Sequence, residues 1–170
     1  LGLAWIIFGY SPLGIRVLHG KSPKLERAVS SYTPLGAVQY LWKRFRCPVW
    51  ATPFAASLLR RKLSESDFHE DIELNVVPLD ARPRIGPFDI EFVHLTHSIP
   101  EPMALAIRTR GGTVFHTGDW KLDSTPMVGG AAGTDRFARI GAEGVATLVC
   151  DSTNAMREGR SPSEVEVAAS

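Results

Sequence analysis

Ala104-Leu105-Ala106-Ile107-Arg108-Thr109-Arg110-Gly111-Gly112-Thr113-Val114-Phe115-His116 decides the architecture of this chain. Residues 104–109 read as a strand, Arg110-Gly111-Gly112 as a tight turn, and residues 113–116 as the returning strand. The glycines supply the positive φ values that such a turn needs. Outward from this hairpin, residues 73–79 and 89–96 are strand-like, and residues 145–150 read as a buried strand. Residues 134–144 read as a short helix ended by glycine. Further upstream, residues 37–45 have helical spacing of apolar residues, and residues 47–51 read as a short strand. Thr52 then caps a helix with Pro53 at its first position and Phe54, Leu58, Leu59 and Leu63 on the buried side. Strands dominate, helices lie between them, and one hairpin is clear. That is a mixed α/β chain of layered α+β type, not a regular βαβ series.

The flanks are less regular. Residues 9–34 carry recurrent Gly, Pro and Ser with weak periodicity. Residues 1–8 are apolar, but too short for a membrane span and without the preceding basic residues of a signal peptide. They read as a core strand that has been cut off. Ser161-Pro162-Ser163-Glu164 reads as the opening of a helix, and a helix that opens so near Ser170 suggests a truncated chain.

A length of 170 residues suits one domain or a piece of a larger one, and an apolar content of 44% is enough for a core. The net charge of +1 excludes the strongly basic class, in which charge alone argues for nucleic acid. Any such claim must come from a site. Cys47 and Cys150 are far apart and form no C-x-x-C pair. They read as buried thiols of a reducing compartment, not as a disulfide.

Two residues stand out chemically. His97 follows a strand and precedes the loop closed by Pro100, and Asp119 follows the returning hairpin strand after Gly118. Strand-end loops are where such scaffolds present functional groups. An imidazole and a carboxylate converging there can share a divalent ion such as zinc. In a two-metal site the carboxylate can bridge both ions. From position alone a lone histidine at a strand end is more often a hydrogen-bonded structural residue, and an aspartate after glycine is as often a turn residue as a metal ligand. His116 alternates with Phe115 and is expected to point out of the core, as is His94. His69, among Asp67, Glu70 and Asp71, reads as solvated, and His19 carries no role.

Three blocks extend the reading. They are Thr96-His97-Ser98-Ile99-Pro100; then Thr117-Gly118-Asp119-Trp120-Lys121-Leu122-Asp123 with Thr125-Pro126; then Asp151-Ser152-Thr153-Asn154-Ala155 with Gly159 and Ser161-Pro162-Ser163-Glu164. In this order and at these separations they resemble ribonuclease J, and the resemblance runs from about Gly36 to Ser170. It implies a metallo-β-lactamase-like αββα sandwich, incomplete here, into which a β-CASP domain is inserted. Residues 1–35 would then be an off-pattern or degenerate segment, 36–155 a partial metallo-β-lactamase domain, and 156–170 the start of a truncated β-CASP domain. The implied activity is hydrolysis of RNA phosphodiesters with two zinc ions, in exonuclease and endonuclease modes. His97 would be a zinc ligand and Asp119 the bridging carboxylate. Asp151 would sit near the scissile phosphate and orient a histidine from further along the chain. Its alternative is a cap or turn residue after a strand. The resemblance also implies RNA as partner, a cytoplasmic setting, no membrane, and a homo-oligomer of the family's type.

The chain departs from the family at one place. The H-x-H-x-D-H signature should precede Gly36-Ala37, but its ligand positions are Val29, Ser31, Thr33 and Pro34. None is a credible zinc ligand. The match begins abruptly at Gly36, which points to a disrupted reading frame or a degenerate N-terminus upstream. With two candidate donors left, weak or absent zinc binding and no nuclease activity are expected of this chain. Two other classes remain open. One is a non-catalytic module binding RNA or protein, with Lys43-Arg44 and Arg60-Arg61-Lys62 as phosphate contacts. The other is a metallo-β-lactamase-fold hydrolase of thioesters or lactams, against which the Asp151-Ser152-Thr153-Asn154 block argues.

Overall fold

The computed structural model describes residues 5–7, 38, 42–43, 46–64, 71–153 and 155–169. His19, His69, most of the helix expected at 37–45, and the four positions between Val29 and Pro34 lie outside the described residues. The chain forms two compact units, Leu1–Pro78 and Leu79–Ser170.

The first unit holds a parallel sheet in the order β1 (Trp5–Ile7), β2 (Val49–Ala51) and β3 (Leu74–Val76). Helix α1 (Pro53–Leu63) begins with proline, whose absent N–H costs nothing in the first turn. Thr52 occupies the cap position in extended geometry, but its hydroxyl makes no capping bond. The buried stripe is Ala55, Ala56, Leu59 and Leu63. Phe54 and Leu58, expected inside, are only half-buried. The stripe is therefore rotated by about one position, because the small side chains of Ala55 and Ala56 pack at 0% exposure against the core. Arg60, Arg61 and Lys62 are exposed in the last turn, where positive charge complements the free carbonyls.

The second unit is one five-stranded sheet, in the order β4 (Arg84–Ile85), β5 (Phe88–His94), β6 (Met103–Thr109), β7 (Gly112–His116) and β8 (Thr147–Val149). All neighbours are antiparallel except β7 and β8, which run parallel. The expected hairpin is β6–β7. Of its two glycines, Gly112 is the one with positive φ, at +124°. A side chain there would also meet Ala146 Cβ at 2.9 Å.

Register assigns the faces. Glu91 opposes Ala106, Val93 opposes Ala104, and Ala106 opposes Phe115. On this face helix α2 (Thr134–Glu143) packs Ile140 and Phe137 against Val93, Leu95, Ala104, Ala106 and Phe115. The alanines leave room for the helix, which ends at Gly144 with φ +93°. Phe115 and Phe137 meet edge to face at 6.0 Å. At the end of the same face, Arg108 bonds the buried Glu91 at 2.8 Å and Glu143 at 2.7 Å. Arg139 completes the network, bonding both acids.

The opposite face carries Ile90, Phe92 and Leu105, all fully buried, and across from Leu105 stands His116. His116 is thus buried at 3% exposure, not directed outward. Alternation does separate it from Phe115, but neither face of this sheet is solvent. Burial holds its imidazole below the usual pKa. His94 is half-buried beside Gly129.

Strand β8 corrects another expectation. Among the described residues it has one neighbour, β7, and all three of its residues are exposed, Leu148 at 61%. An apolar run marks a strand but does not say whether the strand has neighbours on both sides. Cys150 is exposed for the same reason, while Cys47 is buried; both are free thiols.

Candidate functional site at the carboxyl ends of three strands

Strand direction gathers the candidates. β5 and β7 are each antiparallel to β6 and hence run the same way, and β8 is parallel to β7. Their carboxyl ends therefore lie along one edge of the sheet. His97 follows β5, Asp119 follows β7, and Asp151 follows β8.

Hydrogen bonds join the three segments. Thr96 forms an isolated antiparallel bridge with Lys121, whose N–H donates to the Thr96 carbonyl at 2.9 Å. The Thr96 hydroxyl donates to the Lys121 carbonyl and accepts from the Asp123 N–H at 3.1 Å. The His97 and Asp119 segments are thereby fixed side by side. On the other side, Thr117 N–H donates to the Val149 carbonyl at 3.0 Å. Asp151 N–H reaches the Thr117 hydroxyl at 3.3 Å, and Trp120 Nε1 donates to the Asp151 carbonyl at 3.1 Å. Gly118, with φ +65°, makes the turn that sends Asp119 away from β7, and its N–H donates to His116 Nδ1 at 2.9 Å.

The candidates differ in surroundings. His97 is half-buried; its Nδ1 is fully buried and has no hydrogen-bond partner among the described residues. Such an atom costs on the order of 1–3 kcal/mol unless something engages it. Asp119 is half-buried as well. Asp151 turns inward on its own segment: one carboxylate oxygen accepts from Thr153 N–H at 3.0 Å and from the Thr153 hydroxyl. This is the turn geometry weighed as its alternative role.

Whether these residues fit a zinc pair follows from the donors. The orphaned His97 nitrogen suits a ligand. Among the described residues, however, no group of three or more His, Cys, Asp or Glu side chains stands together as a metal site. A catalytic zinc takes three protein ligands and a structural zinc four. The described donors do not complete such a site.

Two further residues of this edge, Asp123 and Glu164, stand in the quoted sequence blocks but carried no expected role in the site. Asp123 is buried, and its carboxylate accepts from Thr125 N–H at 2.9 Å and from Glu164 N–H at 2.8 Å, with Lys121 Nζ at 3.0 Å. Backbone N–H donors, Thr125 first and then Glu164, hold its pKa down to about 2. Glu164 opens helix α3 (Glu164–Ala168), which Ser163 and Glu166 cap reciprocally. Its carboxylate accepts from Met127 N–H at 2.6 Å and more weakly from Val128 N–H. Those bonds, Met127 first, lower its pKa. Asp123-x-Thr125 has the spacing of an Asp turn, which was the available signal. Nothing local announces Glu164, because its partners are distant in sequence.

Comparison with known proteins now decides the family. The chain is 50% identical over 135 residues to ribonuclease J of Sinorhizobium meliloti, covering 79% of this chain and 24% of that protein. The chain belongs to the ribonuclease J family. Ribonuclease J of Helicobacter pylori is 38% identical over 135 residues, covering 79% and 20%. Ribonuclease J 1 of Streptococcus pyogenes is 37% identical over 155 residues, covering 91% and 27%. The chain thus spans about a quarter of the length of these ribonuclease J relatives. No family model matches. One solved structure, a protein of unknown function from Enterococcus faecalis, aligns with a TM-score of 0.46 at 19% identity, over 69% of this chain and 29% of that one. No helix among the described residues is long and apolar enough to cross a membrane.

Proposed function

We propose that this chain is the part of a ribonuclease J-type RNA hydrolase that presents His97, Asp119 and Asp151 to the phosphodiester. The observation that carries the reading is the convergence of these three segments at the carboxyl ends of β5, β7 and β8. In the proposed protein His97 and Asp119 belong to a zinc-binding set that residues outside the described ones complete. The sandwich fold and the division into residues 1–35, 36–155 and 156–170 belong to the same proposal. Asp151, held in its turn by Thr153 and tied to Thr117 and Trp120, positions the segment that faces the substrate. Alone, the chain is expected to leave RNA intact.

A chimera tests this. Residues 36–170 replace the matching stretch of the Sinorhizobium meliloti relative, and RNA cleavage is followed with and without EDTA. The chimera is expected to cleave RNA in an EDTA-sensitive manner, and H97A or D119A within it to abolish cleavage. A chimera that cleaves equally well with both substitutions sinks the assignment.

The exposed triplet Arg60-Arg61-Lys62 supports one other reading, an RNA-binding module without chemistry. Salt-dependent RNA binding by a chimera that never cleaves would favour it.

A further inference from the structure

The edge that presents His97 and Asp119 is held by side chains that are not themselves candidate donors. Glu164 reaches the backbone N–H groups of Met127 and Val128. Its own N–H is held by Asp123, which also grips Lys121 and Thr125. Asp123 N–H in turn is held by Thr96, next to His97. The loop of His97 is therefore tied at Thr96 to the start of α3 by one chain of bonds that runs through Asp123. The same chain of bonds holds the segment that follows Asp119. These contacts join stretches of sequence about 25 to 41 positions apart.

We infer that Asp123 and Glu164 are positioning residues that lace the His97 loop, the Asp119 segment and the start of α3 into one unit. The arrangement makes residues 163–164 a control point for the site. Any shift of the chain where α3 begins is transmitted through Asp123 to Lys121 and Thr96, and through Glu164 to Met127 and Val128. The inference rests on the reading of His97 and Asp119 as functional groups, and its measurement is made without metal.

The test uses the 170-residue chain, with assigned amide and imidazole resonances and amide hydrogen exchange. Glu164→Ala is expected to speed exchange at the Met127 and Val128 amides about tenfold or more, as loss of a protecting hydrogen bond does. Glu164→Gln keeps an acceptor oxygen and is expected to restore most of that protection. Asp123→Ala is expected to move the His97 imidazole and Asp119 amide resonances while leaving those of residues 90–93 and 104–107 in place, and Asp123→Asn, which keeps one acceptor oxygen, to move them less. Resonances of His97 and Asp119 that stay put in Asp123→Ala overturn the inference. So does uniform loosening of the whole sheet, the mark of a merely structural role. Adding Zn²⁺ to the wild-type chain then tests the zinc-ligand reading separately, since a His97 resonance indifferent to zinc counts against that reading and leaves the exchange result standing.

Discussion

Replacing Glu91 with alanine should destabilise the second unit far more than its position near the end of a sheet face suggests. Glu91 is 5% exposed, and each carboxylate oxygen holds a different arginine, Arg108 at 2.8 Å and Arg139. Arg108 is itself mostly enclosed, at 15% side-chain exposure, and its Nη1 is already buried without a partner. Removing one member of a buried pair costs roughly 3–5 kcal/mol, because the survivor stays desolvated and uncompensated. Here Arg108 keeps Glu143 at 2.7 Å, so the lower end applies, about 3 kcal/mol. For a unit of about 90 residues that lowers the melting temperature by roughly 12–24 °C. Arg139→Ala, at 44% side-chain exposure, should have little effect, since exposed pairs are screened by water. Trp120 is the one tryptophan in Leu79–Ser170, so the ¹⁹F signal of 5-fluorotryptophan at that position reports this unit alone. Equal shifts for Glu91→Ala and Arg139→Ala would refute the reasoning. An Arg108→Ala/Glu91→Ala double variant no more stable than the sum of the singles would do the same.

Gly112→Ala should be poorly tolerated. It places a side chain at φ +124° and 2.9 Å from Ala146 Cβ, for a cost of at least about 2 kcal/mol, read as a drop in urea midpoint. Asp123 should contribute to acid sensitivity. Its pKa is about 2 in the folded chain, against roughly 3.9 unfolded, so its stabilisation is present above about pH 4 and is lost as pH falls through 2. The groups facing it are Lys121, Thr125 and the Glu164 N–H. Melting temperature between pH 5 and pH 2 should therefore fall less steeply for Asp123→Asn than for the wild type, and parallel curves would contradict the assignment.

The hairpin was legible because its signal is local: alternating strands, then glycine at the one residue whose φ requires it. Helix α2 was legible down to the glycine that ends it. What failed was burial. Nothing in the alternation of Phe115 and His116 says that both faces of the sheet are covered. Nothing in the apolar run of residues 147–149 says that β8 has a single neighbour. The cap at Thr52 had the right position and backbone but no bond, because side-chain rotamers are set by packing, not by propensity. His97 and Asp119 were singled out from residue type and strand-end position, and the bridge between Thr96 and Lys121 brings their segments together. Glu164 was given no such role, since its bonds to residues 127 and 128 exist only once the fold has formed.

The parallel pairing of β7 with β8 has a consequence for the order of events on the ribosome. Strands β5, β6 and β7 follow one another in sequence, the first pair across the loop of residues 95–102 and the second across a tight turn, and can zip as soon as His116 has been synthesised. A parallel partner cannot join through a turn; it must wait for the intervening crossover, here α2, to emerge and dock. Asp151, Asp123's contact with Glu164, and the bonds from Glu164 to Met127 and Val128 all depend on residues translated after that step. The nascent chain therefore holds a finished hairpin sheet while the edge bearing His97 is still unlaced, and that edge is assembled last.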